Sequence, residues 1–321
     1  MIGVRTPFRV SFAGGGTDIP NFYREHGGMV ISTSINKYMY HFIHKFSEEE
    51  IQIKYSITEN LTNVKQIKHP IVREASKIFD IKGLDINSIA DIPKGSGLGS
   101  SSAYTVGLLH GLSLLNNKKI SKSELAEAAS DLEINKLGDP IGKQDHYASS
   151  YGGLNIFSFE KDDSVKVKKI NLDEKSSKFL SSSMTLIKYG KSRKASTILS
   201  DQAKNLESNK NLSQTVEILN LVSPMVQAIE SLDIKKMGEI LSENWHYKKQ
   251  LSNLITSKDL EAELKSLTSN KNIYGGKLLG AGGNGYILVI GDPKEIKKIS
   301  GRSVVNFDFE KYGSKKIYSD E

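Results

Sequence analysis

Apolar and polar residues alternate near the start of the chain, which is the pattern of a strand with one buried face. Phe8, Val10 and Phe12 occupy every second position, and three consecutive glycines follow at 14–16. Because glycine opens the backbone and leaves room for a ligand, the strand is expected to end there in a turn. Strand-like patterns continue to about Tyr55 and recur further along the chain. They cover residues 153–159, 166–170, 184–189 and 286–290.

Helical patterns lie between these strands. Residues 103–115 are apolar on most faces and contain no proline, as in a buried helix. A second helix is predicted over residues 123–137, and three more between 195 and 267. The polar stretch 160–164 is a hairpin turn or a lobe boundary. Since 321 residues exceed the usual size of a single core, we expect an α+β fold with two lobes, residues 1–160 and 161–321.

A glycine-rich loop leads directly into the first predicted helix. Residues 93–103 read Pro-Lys-Gly-Ser-Gly-Leu-Gly-Ser-Ser-Ser-Ala. The glycines allow a tight turn, and the N–H groups of the helix start, together with three serine hydroxyls, face whatever the loop holds. This arrangement predicts an anion site, with a nucleotide phosphate as the expected anion and a flexible surface loop as the alternative. A Walker A loop is excluded, because Ser100 and Ser101 stand where that motif has Lys and then Ser or Thr.

The loop resembles the central motif of the GHMP kinases, Pro-x-x-x-Gly-Leu-Gly-Ser-Ser-x-Ala, at every fixed position. That family includes galactokinase, homoserine kinase and mevalonate kinase. Residues 6–20 are similar to its first motif, and residues 277–290 are similar to its third. The third segment also fits Gly-x-Gly-x-x-Gly, but a strand rather than a helix is predicted after its glycines. A dinucleotide-binding fold is therefore not expected.

The resemblance implies the two-lobed GHMP kinase fold and ATP as the phosphoryl donor. In that fold an N-terminal lobe similar to domain 2 of ribosomal protein S5 meets a ferredoxin-like C-terminal lobe, and the active site lies in the cleft between them. The expected ATP contacts are the loop residues Pro93, Gly95, Gly97, Leu98, Gly99, Ser100, Ser101 and Ser102. The expected substrate contacts in the first and third motifs are Gly15, Gly16, Thr17, Asp18, Gly282 and Gly283.

The same resemblance implies the charged residues of phosphoryl transfer. Arg9 matches the active-site basic residue of the first motif, and Asp145 matches the aspartate beside the phosphoryl-accepting hydroxyl. Glu133 matches the carboxylate that holds Mg²⁺ together with a serine, which aligns best with Ser101. The spacing from Glu133 to Asp145 is one residue longer than in mevalonate kinase. Asp139 is therefore a competing Mg²⁺ ligand, although Asp-Pro more simply starts a turn.

The substrate is indicated by narrower similarities. The first motif in its form Ala-Gly-Gly-Gly-Thr-Asp-Ile-Pro, together with residues 190–199 and 244–252, resembles the heptose 7-phosphate kinases, and the first motif also resembles the fucokinases. The heptose branch implies transfer to the anomeric hydroxyl of a heptose 7-phosphate, and a free-sugar kinase is the second option. Lys191 and Arg193 are predicted to bind the phosphate of the sugar, with exposed surface charges as the alternative. One departure is Lys-Tyr-Gly at 188–190, where Tyr-Thr-Gly is common.

Each of three further residues is open to two interpretations. Trp245 and Lys248 sit three apart on a predicted helix and either line the cleft or belong to the core and the surface, respectively. His146 is expected to pack or to form hydrogen bonds rather than to act as a base, because Asp145 already fills that role.

A catalytically silent sugar sensor with the same fold is the alternative from another class of protein, and the retained active-site residues argue against it.

The composition narrows the class of protein. Without any cysteine the chain has no disulfide, no thiolate catalysis and no cysteine-based zinc site. No apolar run reaches the roughly 18 residues of a membrane span, and the first residues lack a signal-peptide core, so we expect a cytoplasmic enzyme without a membrane partner. The net charge of +7 comes from scattered lysines, which favours an anionic substrate and cofactor over a nucleic acid. The oligomeric state is left open, a homo-oligomer included.

Overall fold

The computed structural model of the chain describes residues 1–46, 49–190 and 195–320, with the backbone alone for residues 195 and 196. The strands are β1 (Ile2–Ala13), β2 (Gly28–Lys45), β3 (Ile51–Lys54), β4 (Thr58–Leu61), β5 (Leu84–Ala90), β6 (Leu154–Phe159), β7 (Val165–Lys169), β8 (Met184–Tyr189), β9 (Ile273–Leu278), β10 (Gly285–Gly291), β11 (Val304–Val305) and β12 (Lys315–Ser319). The helices are α1 (Pro20–His26), α2 (Pro70–Ala75), α3 (Ser100–Leu115), α4 (Lys122–Asp131), α5 (Gln144–Tyr151), α6 (Glu174–Ser182), α7 (Ala195–Glu207), α8 (Leu212–Asn220), α9 (Val222–Glu230), α10 (Ile234–Lys248), α11 (Lys258–Thr268) and α12 (Pro293–Ser300). A 3₁₀ turn, Val64–Gln66, and a π-helical turn, Leu132–Lys136, are also present.

The larger sheet contains eight of these strands. Its main order is β12, β1, β2, β5, β3 and β4. β2 is long enough to pair along one part with β5 and along another part with β6, and β7 then extends the sheet beyond β6. β3 and β5 run parallel, whereas the other neighbouring strands are antiparallel. α3 packs against β1 and β2, so the helix after the glycine loop lies on this sheet.

The lobe boundary differs from the one expected at residue 160. β7 pairs with β6, so residues 165–169 belong to the first sheet rather than to the second lobe. The N–H of Glu160 donates to the carbonyl of Ser164 at 2.9 Å, which makes the polar stretch a hairpin turn. β12, near the end of the chain, returns to pair with β1. Apolar patterning along the chain cannot reveal this return, because strand pairing depends on position in space rather than on order in sequence.

The smaller sheet has the order β11, β8, β10 and β9 and carries the helices of the second lobe. Its central strand β10 is buried on both faces. Leu288 and Ile290 pack into the core that is shared with the larger sheet, whereas Ile287 and Val289 pack into a second cluster. A strand covered on both faces needs an unbroken apolar run, as this segment has. Five helices, α7 to α11, lie where the apolar pattern predicts three.

One hydrophobic core connects the two lobes. It contains Phe8 and Val10 of β1, Leu108 of α3, and Leu186 and Leu241 from the second lobe. The predicted helix after the glycine loop and the predicted strands at 153–159 and 286–290 are confirmed as α3, β6 and β10. The result is the expected α+β arrangement in which two lobes enclose a cleft. In the described part of the chain, no helix combines the length and the apolar character that crossing a membrane requires.

Candidate active site

A cavity of about 1000 Å³ lies in the cleft. It is lined by the glycine loop, the turn after β1, the end of β5, the start of α5, the end of α10 and the turn after β9. This volume is at the upper end of the range for small-molecule sites, as expected where two ligands bind together. The cavity therefore collects all three segments that resemble the family motifs.

The glycine loop has the backbone that its sequence predicts. Gly95, Gly97 and Gly99 have φ of 73°, 75° and 76°, a region that side chains disfavour. A Cβ on Gly97 would lie 2.5 Å from the carbonyl oxygen of Leu279, so the loop also packs tightly on the turn after β9. Gly99 is the residue before α3, which directs the first N–H groups of that helix into the cavity region. The predicted anion site thus has the required geometry.

The predicted ATP contacts divide into two groups. Seven of the eight line the cavity, namely Pro93, Gly95, Gly97, Gly99, Ser100, Ser101 and Ser102. Leu98 does not, because its side chain is fully buried in the hydrophobic core. Its carbonyl oxygen instead accepts a hydrogen bond from the N–H of Arg9 at 3.0 Å. Leu98 is therefore an anchor that fixes the loop on β1.

Arg9 and Asp145 form a two-pronged ion pair at the end of this loop. Nε of Arg9 lies 2.6 Å from Oδ1 of Asp145, and Nη2 lies 2.7 Å from Oδ2. Nη1 donates to the carbonyl oxygen of Gly97 at 2.7 Å, which links the pair to the phosphate loop. The side chain of Arg9 is only 5 % exposed, so solvent screens this pair weakly. The structure thus joins the two residues assigned to the chemistry, which lie far apart in sequence.

Glu133 is buried next to the loop and is held by three hydrogen bonds. Its carboxylate accepts from the hydroxyl of Ser101, from the hydroxyl of Ser102 at 3.1 Å and from Nε2 of His146 at 2.5 Å. Burial alone raises the pKa of Glu133, but the bonds from His146 and the two serines outweigh it and leave the pKa below its ordinary value. The carboxylate is therefore charged at neutral pH. His146 is confirmed as a hydrogen-bonding residue.

Asp139, the competing acid, lies near Glu133 and is partly buried. Burial, together with the nearby charge of Glu133, raises the pKa of Asp139. Within residues 1–46, 49–190 and 195–320, no group of three or more His, Cys, Asp or Glu side chains could hold a metal by itself. A metal in this cavity would therefore need phosphate or water ligands in addition to the protein.

Asp18 lines the cavity beside Gln144, the residue before Asp145. Its carboxylate accepts from the N–H of Gly16 and the N–H of Gln144, each at 3.0 Å, and from Nε2 of Gln144 at 3.2 Å. Burial raises the pKa of Asp18 despite these bonds, and the charge of Asp145 adds to the increase. Gly15, Gly16 and Asp18 all line the cavity, as their assignment to the substrate requires.

Three other residues assigned to the substrate lie elsewhere. The hydroxyl of Thr17 is buried among the backbone carbonyls of Gly14 and Met29, at 2.8 and 2.9 Å, and it stabilises the turn. Gly282 and Gly283, within the turn after β9, pack on side chains of the second lobe, since a Cβ on either residue would come within 3 Å of an isoleucine side chain. Their neighbours Gly280 and Ala281 line the cavity instead.

The phosphate contact predicted for the sugar falls on Lys191 and Arg193, which lie outside the described residues. The departure from the family pattern at Lys188 is at the end of β8, where the side chain is exposed and is not part of the cavity lining. The unusual residue at that position therefore does not reshape the described part of the site.

Two lysines of the second lobe also line the cavity. Nζ of Lys248 donates to the carbonyls of Leu278 at 2.9 Å and Gly280 at 2.5 Å. Nζ of Lys277, which is 3 % exposed, donates to the carbonyl of Phe12 and to Oδ1 of Asn244, both at 2.8 Å. Burial lowers the pKa of Lys248 to about 7, and it lowers that of Lys277 well below its ordinary value.

Asn244, Lys248 and Lys277 form a lysine wall of the cavity, and only part of it can be predicted from the sequence. Of the two interpretations of Lys248, the cleft position is confirmed, whereas Trp245 is a core residue whose indole N–H donates to Oε1 of Glu261 at 3.0 Å. Lys277, Asn244 and Gln144 were not identified. A lysine inside the otherwise small and apolar strand β9 was the available signal for Lys277.

The other end of the cavity is lined by rings. His69 stacks on Tyr104 with 4.6 Å between ring centroids, and Tyr55 meets His69 edge-on at 4.6 Å. Burial lowers the pKa of His69 to about 4, so the imidazole is neutral at physiological pH. Flat, neutral surfaces of this kind suit a planar heterocycle.

Comparison with known proteins shows which proteins the chain is similar to. Residues 64–153 match the family model described as GHMP kinases N terminal domain. The chain is 28 % identical over 336 residues to D-glycero-alpha-D-manno-heptose 7-phosphate kinase of Campylobacter jejuni, covering 98 % of both proteins. It is 25 % identical over 334 residues to the bifunctional fucokinase/GDP-fucose pyrophosphorylase of Arabidopsis thaliana, covering 96 % of this chain and 31 % of that protein.

A solved structure has the same fold over the whole chain. The crystal structure described as a D-glycero-D-manno-heptose 1-phosphate kinase from Bacteroides thetaiotaomicron superimposes with a TM-score of 0.80 at 23 % identity, covering 99 % of this chain and 100 % of that one. Residues 64–153 therefore form a GHMP kinase N-terminal domain, and the chain is similar over its whole length to a heptose phosphate kinase. The chain is an ATP-dependent phosphotransferase of the sugar-kinase class.

Proposed function

We propose that the protein transfers the terminal phosphate of ATP to the anomeric hydroxyl of D-glycero-D-manno-heptose 7-phosphate, which gives the 1,7-bisphosphate. The observation that carries this proposal is the end-to-end similarity to the heptose 7-phosphate kinase of Campylobacter jejuni. The product would be a precursor of nucleotide-activated heptose for a capsule or lipopolysaccharide. We place the enzyme in the cytoplasm, where ATP and sugar phosphates are available.

Unpartnered polar atoms around the cavity support a ligand with many hydroxyl groups. Oγ of Ser11, Oε1 of Gln144 and Nδ2 of Asn244 are buried and have no hydrogen-bond partner among the described residues, and all three residues line the cavity. Buried polar groups without a partner are destabilising, so a bound molecule is expected to supply the missing hydrogen bonds. A Cβ on Gly15 would lie 3.5 Å from Nε2 of Gln144 and 3.6 Å from Oγ of Ser11, which marks a small space beside both side chains. A sugar hydroxyl fits this space.

Asp145 and Arg9 would carry out the protein's part of the transfer. Asp145 orients the attacking hydroxyl and accepts its proton, a contribution of roughly 10²- to 10⁴-fold in rate. Arg9 holds that carboxylate through two bonds and adds positive charge beside the moving phosphoryl group. A weak base is sufficient, because an anomeric hydroxyl is more acidic than an ordinary alcohol and a loose transition state needs little deprotonation.

The residues around Glu133 fit a magnesium ion. Ser101 lines the cavity, its hydroxyl contacts the buried carboxylate of Glu133, and both are the oxygen donors that Mg²⁺ prefers. When bound there with the nucleotide phosphates, the ion would offset part of their charge. His146 and Ser102 keep the Glu133 carboxylate in place for this role.

The phosphate carried by the sugar would be bound by Arg193 and Lys191. Both residues follow β8, and the fork of Arg193 can form two charge-assisted bonds with one phosphate. This contact would distinguish a sugar 7-phosphate from the free sugar. The second candidate is a free-sugar 1-kinase, which the similarity to the bifunctional fucokinase/GDP-fucose pyrophosphorylase of Arabidopsis thaliana favours.

Turnover assays with a panel of acceptors test the proposal. ADP release by the purified protein, with ATP and Mg²⁺, would be measured for heptose 7-phosphate, free heptose, L-fucose and galactose. We expect kcat/KM to be highest for the 7-phosphate, and ³¹P NMR of the product should show the new phosphate on the anomeric carbon. The Asp145→Asn variant serves as the control that turnover belongs to this site.

Two results would contradict the proposal. Equal kcat/KM for heptose and its 7-phosphate, or a preference for fucose or galactose, would establish a free-sugar kinase. Binding of ATP and sugar without any turnover would indicate a catalytically silent sensor.

A further inference from the structure

The amine of Lys248 lies at the reacting end of the cavity, and the mechanism above does not use it. It is the last residue of α10 and lines the cavity together with Arg9 and Asp145. Both of these residues are close enough to influence its titration. The amine of Lys248 therefore lies near the point where the phosphoryl group would pass.

Two carbonyls fix the position of this amine. Nζ of Lys248 donates to Leu278 at 2.9 Å and to Gly280 at 2.5 Å. Gly280 packs directly on the phosphate loop, because a Cβ there would lie 2.4 Å from Cα of Gly97. A charged amine has three N–H donors. Two carbonyls use two of them, so one donor is left for a ligand in the cavity.

The charges around Lys248 favour a bound anion. Its hydrogen-bond partners among the described residues are carbonyls rather than carboxylates. The guanidinium of Arg9 faces it from β1 and the buried amine of Lys277 faces it from β9, whereas Asp145 faces it from α5 and is already bound to Arg9. Burial first, and Arg9 second, lower the pKa of Lys248 to about 7, although Asp145 opposes this. An anion near the amine would stabilise its charged form.

We propose that Lys248 binds the terminal phosphate of ATP at the point of transfer, as a second catalytic cation beside Arg9. Arg9 already directs three N–H groups to Asp145 and Gly97, so part of its charge is compensated. A phosphate on C7 of a heptose would be at the opposite end of the substrate from the reacting hydroxyl, and hence away from Asp145. The proposal rests on the ATP-dependent activity and is independent of which sugar accepts the phosphate.

Nucleotide binding to the Lys248→Met variant tests this role. Isothermal titration calorimetry would compare ADP with AMP-PNP, an analogue that keeps the terminal phosphate. We expect the affinity for AMP-PNP to fall by roughly 10- to 150-fold, the range for one charge-assisted hydrogen bond, while the affinity for ADP stays close to that of the wild type. Lys248→Arg should retain most of the AMP-PNP affinity. Lys235→Met, on an exposed part of the same helix, is the matched control and should change neither affinity.

Proton uptake gives a second readout that a purely structural lysine would not show. At pH 8 the wild type should take up most of one proton when AMP-PNP binds, because the phosphate raises the pKa of Lys248 from its low value. ADP should cause much less uptake. Lys248→Arg should lose the AMP-PNP-dependent uptake while still binding the analogue, since a guanidinium is always charged. Calorimetry in two buffers of different ionisation enthalpy measures this uptake.

Two outcomes would overturn the proposal. Equal losses of ADP and AMP-PNP affinity in Lys248→Met, with a lower melting temperature, would show that Lys248 only ties the turn after β9 to α10. Unchanged AMP-PNP affinity with a raised KM for a sugar phosphate would show that Lys248 binds the phosphate of the sugar. Because the readout is nucleotide binding, a failure of the heptose assignment would leave the result interpretable.

Discussion

The two walls of the cavity are built in different ways. The loop wall consists of residues 93–102 with Arg9 and Asp145, and its key contacts come from backbone shape and one ion pair. The lysine wall consists of Asn244, Lys248 and Lys277, single side chains that α10 and β9 bring together. A wall made of backbone needs a contiguous glycine motif, whereas a wall made of side chains needs only the right residue at the right register.

The two walls also differ in how their charges are balanced. Arg9 on the loop wall is paired with Asp145 before any ligand binds. Lys248 and Lys277 on the lysine wall are held by carbonyls and one amide oxygen, and burial lowers both of their pKa values. The charges of the loop wall are thus already paired, whereas the amines of the lysine wall gain a negatively charged partner only when an anion binds. We expect changes in the loop wall to abolish nucleotide binding or turnover. Changes in the second lobe should instead weaken the binding of one anionic group, such as the phosphate of the sugar.

The largest effect is expected for Gly99→Val. Gly99 has φ of 76°, and a Cβ there would lie 3.2 Å from Oδ2 of Asp145 and 3.3 Å from Cγ of Arg9. The variant should lose ATP binding, as measured by calorimetry, while circular dichroism still shows a folded protein. Gly301→Val is the control, because Gly301 has a similar φ of 58° with open space around it and lies outside the cavity lining. Normal ATP affinity in Gly99→Val would show that this loop is not the phosphate site.

Asp145→Asn should separate chemistry from binding on the same wall. Asparagine keeps the shape but cannot accept the proton, so kcat should fall at least about 10²-fold. ATP should still bind, because the loop itself is unchanged. The measurement is kcat by ADP release, with ATP affinity as the internal control. Near-normal kcat in this variant would rule out Asp145 as the base.

The sequence is enough to predict the loop wall, because its chemistry is local. Glycines at 95, 97 and 99 specify positive φ, and the helix that follows is readable from its apolar pattern. The pairing of Arg9 with Asp145, 136 residues apart, follows from the family resemblance and not from periodicity. The structure then joins them within hydrogen-bond distance.

The lysine wall and the return of the chain to the first sheet could not be predicted in the same way. Lys277 is one polar residue in a strand, and its contact with the carbonyl of Phe12 depends on how the two lobes pack. β12 has the pattern of an ordinary short strand, which does not specify β1 as its partner. Thr17 illustrates the opposite error, since a residue within a functional motif serves the turn rather than the ligand.

Arg193→Ala tests whether the second lobe recognises the phosphate of the sugar. Loss of a charge-assisted contact of about 1.5 to 3 kcal/mol should raise the KM for heptose 7-phosphate by roughly 10- to 150-fold. The KM for ATP should barely change. Lys188→Ala, an exposed cation at the end of β8, is the control and should leave both KM values unchanged. An unaltered KM for the sugar phosphate in Arg193→Ala would assign Arg193 to the solvated surface.

Ser101→Ala should affect the metal rather than the nucleotide or the sugar. Its hydroxyl is the cavity-facing partner of Glu133, so its loss should raise the Mg²⁺ concentration needed for half-maximal activity at fixed ATP. Ser102→Ala removes a second hydroxyl bond to the same carboxylate, but Ser102, although it also lines the cavity, is buried whereas Ser101 is exposed, so a smaller change is expected. Identical Mg²⁺ dependence in the wild type and Ser101→Ala would place the ion elsewhere.

The smallest effect on catalysis is expected for Thr17→Val, which tests whether Thr17 belongs to the turn after β1 or to the substrate site. The hydroxyl of Thr17 lies 2.8 Å from the carbonyl of Gly14 and accepts from the N–H of Met29 at 3.0 Å. Valine has the same shape but removes the bonds of the hydroxyl to Gly14 and Met29, although the N–H of Thr17 still donates to the carbonyl of Gly14. The free energy of unfolding should therefore fall by about 1 to 3 kcal/mol, as measured by urea denaturation. The KM for the sugar should stay near that of the wild type, because the side chain is buried away from the cavity. Asp18→Asn, one residue on and lining the cavity, should by contrast raise the KM for the sugar. If Thr17→Val instead raised that KM and left stability unchanged, Thr17 would belong to the substrate site after all.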